Sequence, residues 1–246
     1  NFTGGHEKNL KHNLNNTNLE VENLDIINLE NNNKIFNDVS YVFHFAGIGD
    51  IVPSIEIPEN YMHTNVFGTV KVLEASRYNS VKKFIYAASS SCYGLANTPT
   101  DEHHSIKPEY PYALSKYQGE ECCIHWNKVY NLPIISLRIF NAYGVRVRTT
   151  GAYGAVFGVF LKQKLENKKF TVVGDGLQKR DFLYVTDVVK AFLKAAESKI
   201  SCEIYNLGAG NPQTIKYLTE LIGGNIINLP KRPGEPECTW ADISKI

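Results

Sequence analysis

Tyr112 and Lys116 stand four residues apart just after Pro111, downstream of the run Ser89-Ser90-Ser91-Cys92-Tyr93-Gly94. On an α-helix, positions i and i+4 share a face, so this spacing directs a phenol and an ammonium toward one pocket. A phenol titrates at about 10 when undisturbed, and a positive neighbour lowers that value by stabilising the phenolate. The hydroxyl of Ser89, delivered from the preceding strand, completes a set that moves a proton on and off an alcohol. Alone, Tyr-x-x-x-Lys is a weak pattern, matched by any helix with a half-buried tyrosine beside a solvated lysine. Its surroundings give it weight: Lys83-Phe84-Ile85-Tyr86-Ala87-Ala88 reads as a buried strand, and Pro111 has φ preset for a first helical position.

The elements that must position these groups follow from periodicity. Short apolar, β-branched runs at residues 19–26, 41–45, 84–88, 134–139, 170–173 and 203–207 are predicted strands. Helical spacing of apolar residues occupies 59–78, 112–130, 156–165, 186–198 and 214–222. Alternation of this kind predicts an α/β fold, a doubly wound parallel sheet covered on both faces. Ligands of such sheets lie beyond the carboxyl ends of the strands, where Gly47, Ser89 and Asn141 fall.

The 246 residues, 43% of them hydrophobic, suffice for one large domain or two small ones. A net charge of +1 offers no basic field for nucleic acid and no charged tail for a membrane surface. Five cysteines, odd in number and without a Cys-x-x-Cys pair, point to a reducing compartment. No apolar run is long enough to span a bilayer and residues 1–18 are polar, so the expected location is cytoplasmic. His103 and His104 sit in a polar loop with no third ligand at zinc-site spacing, so no metal is expected.

A longer set of motifs accompanies the tyrosine and lysine: Val42-Phe43-His44-Phe45-Ala46-Gly47, Asn65-Val66-Phe67-Gly68-Thr69, Arg138-Ile139-Phe140-Asn141-Ala142-Tyr143-Gly144, Arg180-Asp181-Phe182-Leu183-Tyr184-Val185 and Arg232-Pro233-Gly234-Glu235. In this order, over nearly the whole chain, they resemble the extended short-chain dehydrogenase/reductase family, in particular its NAD-dependent nucleotide-sugar epimerases and dehydratases of the UDP-glucose 4-epimerase type. The resemblance implies a Rossmann domain over 1–140 plus about 181–207, and a substrate lobe over 141–180 plus 208–246. One departure stands out. The family opens on a strand and a Gly-x-x-Gly-x-x-Gly turn that holds the cofactor pyrophosphate, and no such turn occurs here. The first strand, its turn and the first helix are therefore expected to be missing, and the C-terminal lobe to be truncated.

By resemblance, Asp25 and Ile26 edge an adenine pocket, while Phe45, Ala46 and Gly47 let the NAD dinucleotide approach the backbone. The alternative is a strand-end acid and small packing residues. Asn65 is either a cofactor-side residue or a buried amide tying two loops. Lys116 also reaches the nicotinamide ribose, and Phe140 packs near the ring or simply belongs to the core. Arg180 and Arg232 suit the diphosphate of a sugar nucleotide, since a guanidinium binds phosphate bidentately. For Arg180 a structural ion pair competes. Ser89, Ser90 and Asn141 reach the sugar or its diphosphate, and Thr239, just before Trp240, is the small residue that leaves room for an N-acetyl group on C2.

The resemblance leaves several reactions open. Dehydratases of the family carry an acidic pair after the catalytic hydroxyl, where this chain has Ser90 and Ser91. Epimerase-reductases use a cysteine near the serine run, but Cys92 falls one place late and reads as a packing residue. The implied reaction is epimerisation at C4 of a UDP-hexose or UDP-N-acetylhexosamine through a 4-keto intermediate, with Tyr112 exchanging the hydroxyl proton. A 4,6-dehydratase, an epimerase-reductase and a non-catalytic sugar-nucleotide-binding homologue are the alternatives. Relatives are commonly homodimers, so a homodimer is expected.

Overall fold

A computed structural model describes residues 1–2, 4–149, 156–231 and 235–246 of the chain. After 3₁₀ segments at Glu7–Asn13, Ile26–Asn28 and Lys34–Phe36 come β1 (Tyr41–His44), α1 (Ile51–Glu56) and α2 (Pro58–Tyr61). A π-helical turn, Met62–Phe67, leads directly into α3 (Gly68–Tyr78) and then β2 (Lys83–Ser89). A 3₁₀ turn, Ser90–Tyr93, and a long loop separate β2 from α4 (Pro111–Tyr130), which is followed by β3 (Ile134–Ile139) and β4 (Asn141–Tyr143). The remainder holds α5 (Val156–Leu165), β5 (Phe170–Val173), β6 (Lys179–Arg180), β7 (Phe182–Tyr184) and α6 (Val185–Glu197). It ends with β8 (Glu203–Leu207), β9 (Gln213–Thr214), α7 (Ile215–Ile222) and β10 (Ile226–Leu229).

The central sheet is parallel, in the order β1-β2-β3-β8. Its double winding is written in β2, whose residues are all buried because both faces are covered. Successive side chains of a strand point to opposite faces. Phe84, Tyr86 and Ala88 accordingly pack with Val72 and Leu73 of α3 and Cys123 of α4, while Ile85 and Ala87 pack with Val188 and Phe192 of α6. Full burial of each large apolar side chain contributes about 1.5–3 kcal/mol. Lys83 at the start of β2 tethers α6 from its C-terminal side, its Nζ donating to the Ile200 carbonyl at 2.7 Å, where a cation also complements the negative end of the helix dipole.

A separate apolar cluster, Phe160, Phe170, Val172, Ile215 and Leu218, joins α5 and α7 to the two-stranded β5–β10 sheet. Asp181 fastens the parts together. Its fully buried carboxylate accepts hydrogen bonds from the backbone N–H of Ala209 (2.9 Å), Gly210 (3.2 Å) and Ala241 (2.9 Å). A second buried charge, Glu120 of α4, is paired with Arg138 of β3 at 2.5 Å and accepts from Ser136 Oγ at 2.7 Å.

The predicted strands at 134–139, 170–173 and 203–207 coincide with β3, β5 and β8. Residues 19–26 form no strand: they run as irregular chain into the 3₁₀ turn at Ile26–Asn28, and Leu19 and Val21 are exposed. β-propensity needs a neighbouring ladder to be realised, and among the described residues this segment has none. The helix expected over 59–78 is interrupted by the π-turn, which no apolar spacing signals.

Candidate active site

Ser89, the last residue of β2, caps the 3₁₀ turn that follows, its Oγ accepting from the N–H of Ser91 at 3.2 Å. Pro111 starts α4 immediately before Tyr112, and the Tyr112 hydroxyl points at Ser89 Oγ from 3.5 Å. One turn further, Lys116 is only 8% exposed, with Nζ 4.4 Å from the centre of the Tyr86 ring. Tyr86 in turn donates its hydroxyl to the Lys116 carbonyl at 3.1 Å. The spacing therefore does deliver all three groups to one place.

Their electrostatics differ from the expectation. Burial pushes the Tyr112 phenol above its usual range; the hydrogen bond to Ser89 pulls it down and Asp50 pushes it up, with no contribution from Lys116. The lysine responds mainly to its own burial, which lowers it to about 8. Desolvation penalises the charged form of each group and is the largest influence on both.

Asn65 supports this arrangement. The π-turn presents its amide to the loop after β1, where Oδ1 accepts from Ile48 N–H (2.8 Å) and Nδ2 donates to the Ile48 carbonyl (3.0 Å) and to Ser115 Oγ (2.9 Å). It is a buried amide, as the second reading had it, but it ties the loop after β1 to α4 rather than two loops together. Gly47 lies against it: a Cβ there would stand 2.9 Å from Asn65 Oδ1, so this stretch of backbone has to remain bare.

A cavity of about 1060 Å³ opens on these groups. Phe45, Gly47, Ser89, Ser90, Tyr112, Lys116, Phe140, Asn141, Arg180 and Thr239 all line it. Phe140 does so while packed against Cys92, Tyr93 and Ala241, and Cys92 is the packing residue expected, its thiol pushed up to about 12 by burial. Thr239 donates to Asn141 Oδ1 at 2.7 Å. Arg180 makes the competing ion pair, 2.7 Å to Glu235, whose other oxygen is buried without a hydrogen-bond partner among the described residues. Ala46 is not in the cavity wall, and Arg232 lies outside the described residues. Asp25 is engaged elsewhere, accepting from Ile27 N–H at 3.2 Å and Asn1 Nδ2 at 2.6 Å, and Ile26 packs on Gly68 of α3. Among the described residues no group of His, Cys, Asp and Glu could hold a metal.

Sequence reasoning missed four residues. Asp50 and Arg148 line the cavity as an ion pair, and Glu235 carried no assigned role within its quoted motif. Pairings this remote leave no trace in local spacing. The fourth is His44, buried behind Lys116, with Nε2 2.9 Å from Thr69 Oγ1, which itself donates to the Asn65 carbonyl. Burial first, then Lys116, hold its pKa at about 3, against about 6.5 for an exposed imidazole. Between those values the unfolded chain binds more protons, so stability rises with pH and is lost on acidification. Urea unfolding is expected to show a decline below pH about 6.5, up to about 1.4 kcal/mol per pH unit from this group, that His44→Gln flattens. Equal slopes in the two proteins would refute the assignment.

The model of the NAD dependent epimerase/dehydratase family matches residues 3–208. A putative UDP-glucose 4-epimerase of Methanocaldococcus jannaschii is 37% identical over 254 residues, spanning 100% of this chain and 81% of the relative. The structure of a UDP-N-acetylglucosamine 4-epimerase from Methanobrevibacter ruminantium, in complex with UDP-N-acetylmuramic acid, superposes with a TM-score of 0.94 at 33% identity over 99% of this chain and 80% of that one. That of a UDP-glucuronic acid 4-epimerase from Bacillus cereus, in complex with UDP-glucuronic acid and NAD, gives 0.88 at 32% identity over 97% and 77%. A tyrosine and serine meeting at the end of β2, on a doubly wound sheet shared with these enzymes, leave one conclusion: the chain belongs to the NAD-dependent epimerase/dehydratase family.

Proposed function

We propose that this chain is an NAD-dependent epimerase of a nucleotide-diphosphate sugar, acting at C4 of a UDP-hexose or UDP-N-acetylhexosamine. The observation that carries the reading is the Tyr112 hydroxyl 3.5 Å from Ser89 Oγ in the wall of a cavity large enough for a sugar nucleotide. The residues present fit the cofactor: bare backbone at Gly47, held so by Asn65, faces the same cavity as Lys116 and the Phe140 ring, and these with Phe45 form the wall that would hold it. When bound, NAD supplies a reversible hydride acceptor for the sugar carbon.

The chain's own residues supply the rest. In its phenolate form Tyr112 takes the 4-hydroxyl proton, becoming the phenol, and returns it in the reverse step, while Ser89 Oγ, fixed by the Ser91 N–H, steadies the same oxygen. Below pH about 8 Lys116 keeps its proton and places a positive charge in the wall. Arg180 and Asn141 line the same cavity, but the Arg180 guanidinium is committed to Glu235 and to the Lys179 and Pro236 carbonyls, so its part is to hold the wall on the substrate side. Elimination of water needs a carboxyl pair after Ser89, where Ser90 and Ser91 stand, so epimerisation is favoured over dehydration.

The test is to supply UDP-glucose and follow UDP-galactose, while assaying the denatured protein for released NAD. Interconversion with stoichiometric NAD supports the proposal; binding of the sugar nucleotide without interconversion would leave a non-catalytic homologue.

Substrate size is read from Thr239, small and hydrogen-bonded to Asn141 in the cavity wall. Thr239→Tyr is expected to lower kcat/KM for UDP-N-acetylglucosamine at least about tenfold relative to UDP-glucose, within the range that pocket contacts discriminate. An unchanged preference would rule Thr239 out. A homodimer and a cytoplasmic location complete the proposal; sedimentation and fractionation decide them. No described helix is long and apolar enough to cross a membrane.

A further inference from the structure

The cavity wall carries two charges that proton exchange at Tyr112 does not use. Arg148 and Asp50 both line it and are paired, Nη1 to Oδ2, at 3.2 Å. Both ends are anchored. Asp50 has φ 75° and ψ 125°, a positive-φ backbone that side-chain-bearing residues rarely adopt. The two residues before it are clamped, Ile48 by the Asn65 amide and the Gly49 carbonyl by the Tyr61 hydroxyl. On the other side the Arg148 backbone rests on Gly158 of α5, where any side chain would collide with the Arg148 carbonyl. The pair thus bridges the cavity from the loop after β1 to the segment after β4.

Its place in the cavity is the reacting end. Tyr61, which holds the carbonyl beside Asp50, meets the Tyr112 ring edge-on with centroids 6.4 Å apart. The Asp50 charge is felt at both phenols, raising each. In a hexose reacting at C4, the C6 substituent is two carbons away, so charges beside Tyr112 also confront C6. A free guanidinium there would be a bidentate receptor for a C6 carboxylate. A guanidinium already neutralised by a fixed carboxylate is not, and the fixed carboxylate repels a second one.

We propose that Asp50 sets the charge selectivity of the site: by occupying Arg148 it excludes hexuronates and admits neutral hexoses. The inference rests on the nucleotide-sugar reading above and narrows its substrate class. Asp50 is the deciding member because its side chain is 18% exposed against 56% for Arg148, so its charge is the more fixed and the less screened.

The experiment is calorimetric binding of UDP-glucose and UDP-glucuronate to protein carrying Tyr112→Phe, with and without Asp50→Asn. The second change is isosteric and removes only the charge. With Asp50 present, UDP-glucuronate should bind more weakly than UDP-glucose. Asp50→Asn should shift the affinity ratio toward UDP-glucuronate by about tenfold, the lower range for a close charge pair because Arg148 is half exposed, and adding Arg148→Gln should abolish the gain. A ratio unmoved by Asp50→Asn, or equal binding of both ligands with Asp50 in place, overturns the proposal while leaving the epimerase reading intact. Binding of neither nucleotide sugar overturns both.

Discussion

Tyr112→Phe is expected to reduce interconversion of UDP-glucose and UDP-galactose by about 10²–10⁴-fold, the usual contribution of a positioned general acid–base group. KM should change little. The ring is retained, so its edge-on contact with Tyr61 and its place in the cavity wall survive, and the lost atom is the one directed at Ser89. Tyr112 is half-buried in the cavity wall and its hydroxyl makes one long hydrogen bond, so deleting it should leave folding stability nearly unchanged. Steady-state kinetics paired with thermal unfolding separates the two effects. A variant that keeps more than a tenth of the turnover would remove Tyr112 from the chemistry, and a large loss of stability would make any kinetic loss uninterpretable as catalysis.

The second large effect concerns the fold. Glu120 and Arg138 are 1% and 3% exposed, bonded through both carboxylate oxygens, and Arg138 Nη1 also donates to Tyr93 Oη at 2.8 Å, which donates onward to Asn206 Oδ1 at 2.7 Å. Taking two charges out of water is costly, and the pair alone is weak evidence of stabilisation. Losing one partner is a different matter, because the other stays buried and uncompensated. Glu120→Gln is expected to cost about 3–5 kcal/mol in denaturant unfolding. The double change Glu120→Gln with Arg138→Met should recover part of it, since no lone charge then remains. A cost below about 1 kcal/mol for the single change, within the range of an exposed pair, would mean that Arg138 reaches water in solution.

Legibility from sequence followed the range of each interaction. β2 was readable because burial on both faces needs an unbroken apolar run, and α4 because Pro111 and apolar spacing mark it locally. Tyr112 and Lys116 were readable because a helix converts spacing into a shared face, and Ser89 because it ends a strand. The direction of the phenol shift was not, because it depends on how much water the completed fold excludes. The ion pair of Arg180 was one of two open readings, and only its partner 55 residues away settled that it forms. Asp50 and Arg148, nearly a hundred positions apart, carry no local mark at all. The strand expected over 19–26 failed for the opposite reason: its composition is favourable, but a strand exists only by virtue of its neighbour.

The π-turn at Met62–Phe67 sets a constraint of another kind. Each α-helical residue advances about 100° around the axis, so one extra residue rotates everything after it by that angle. Before the turn, Tyr61 faces Tyr112; after it, Thr69 faces His44 and Val72 faces the sheet. An uninterrupted helix would have to give up one set of partners to keep the other. The stretch from α2 to α3 therefore works as a phase converter, and its length is information: removing a single residue between 62 and 67 would turn the active-site wall and the hydrophobic core out of register with each other.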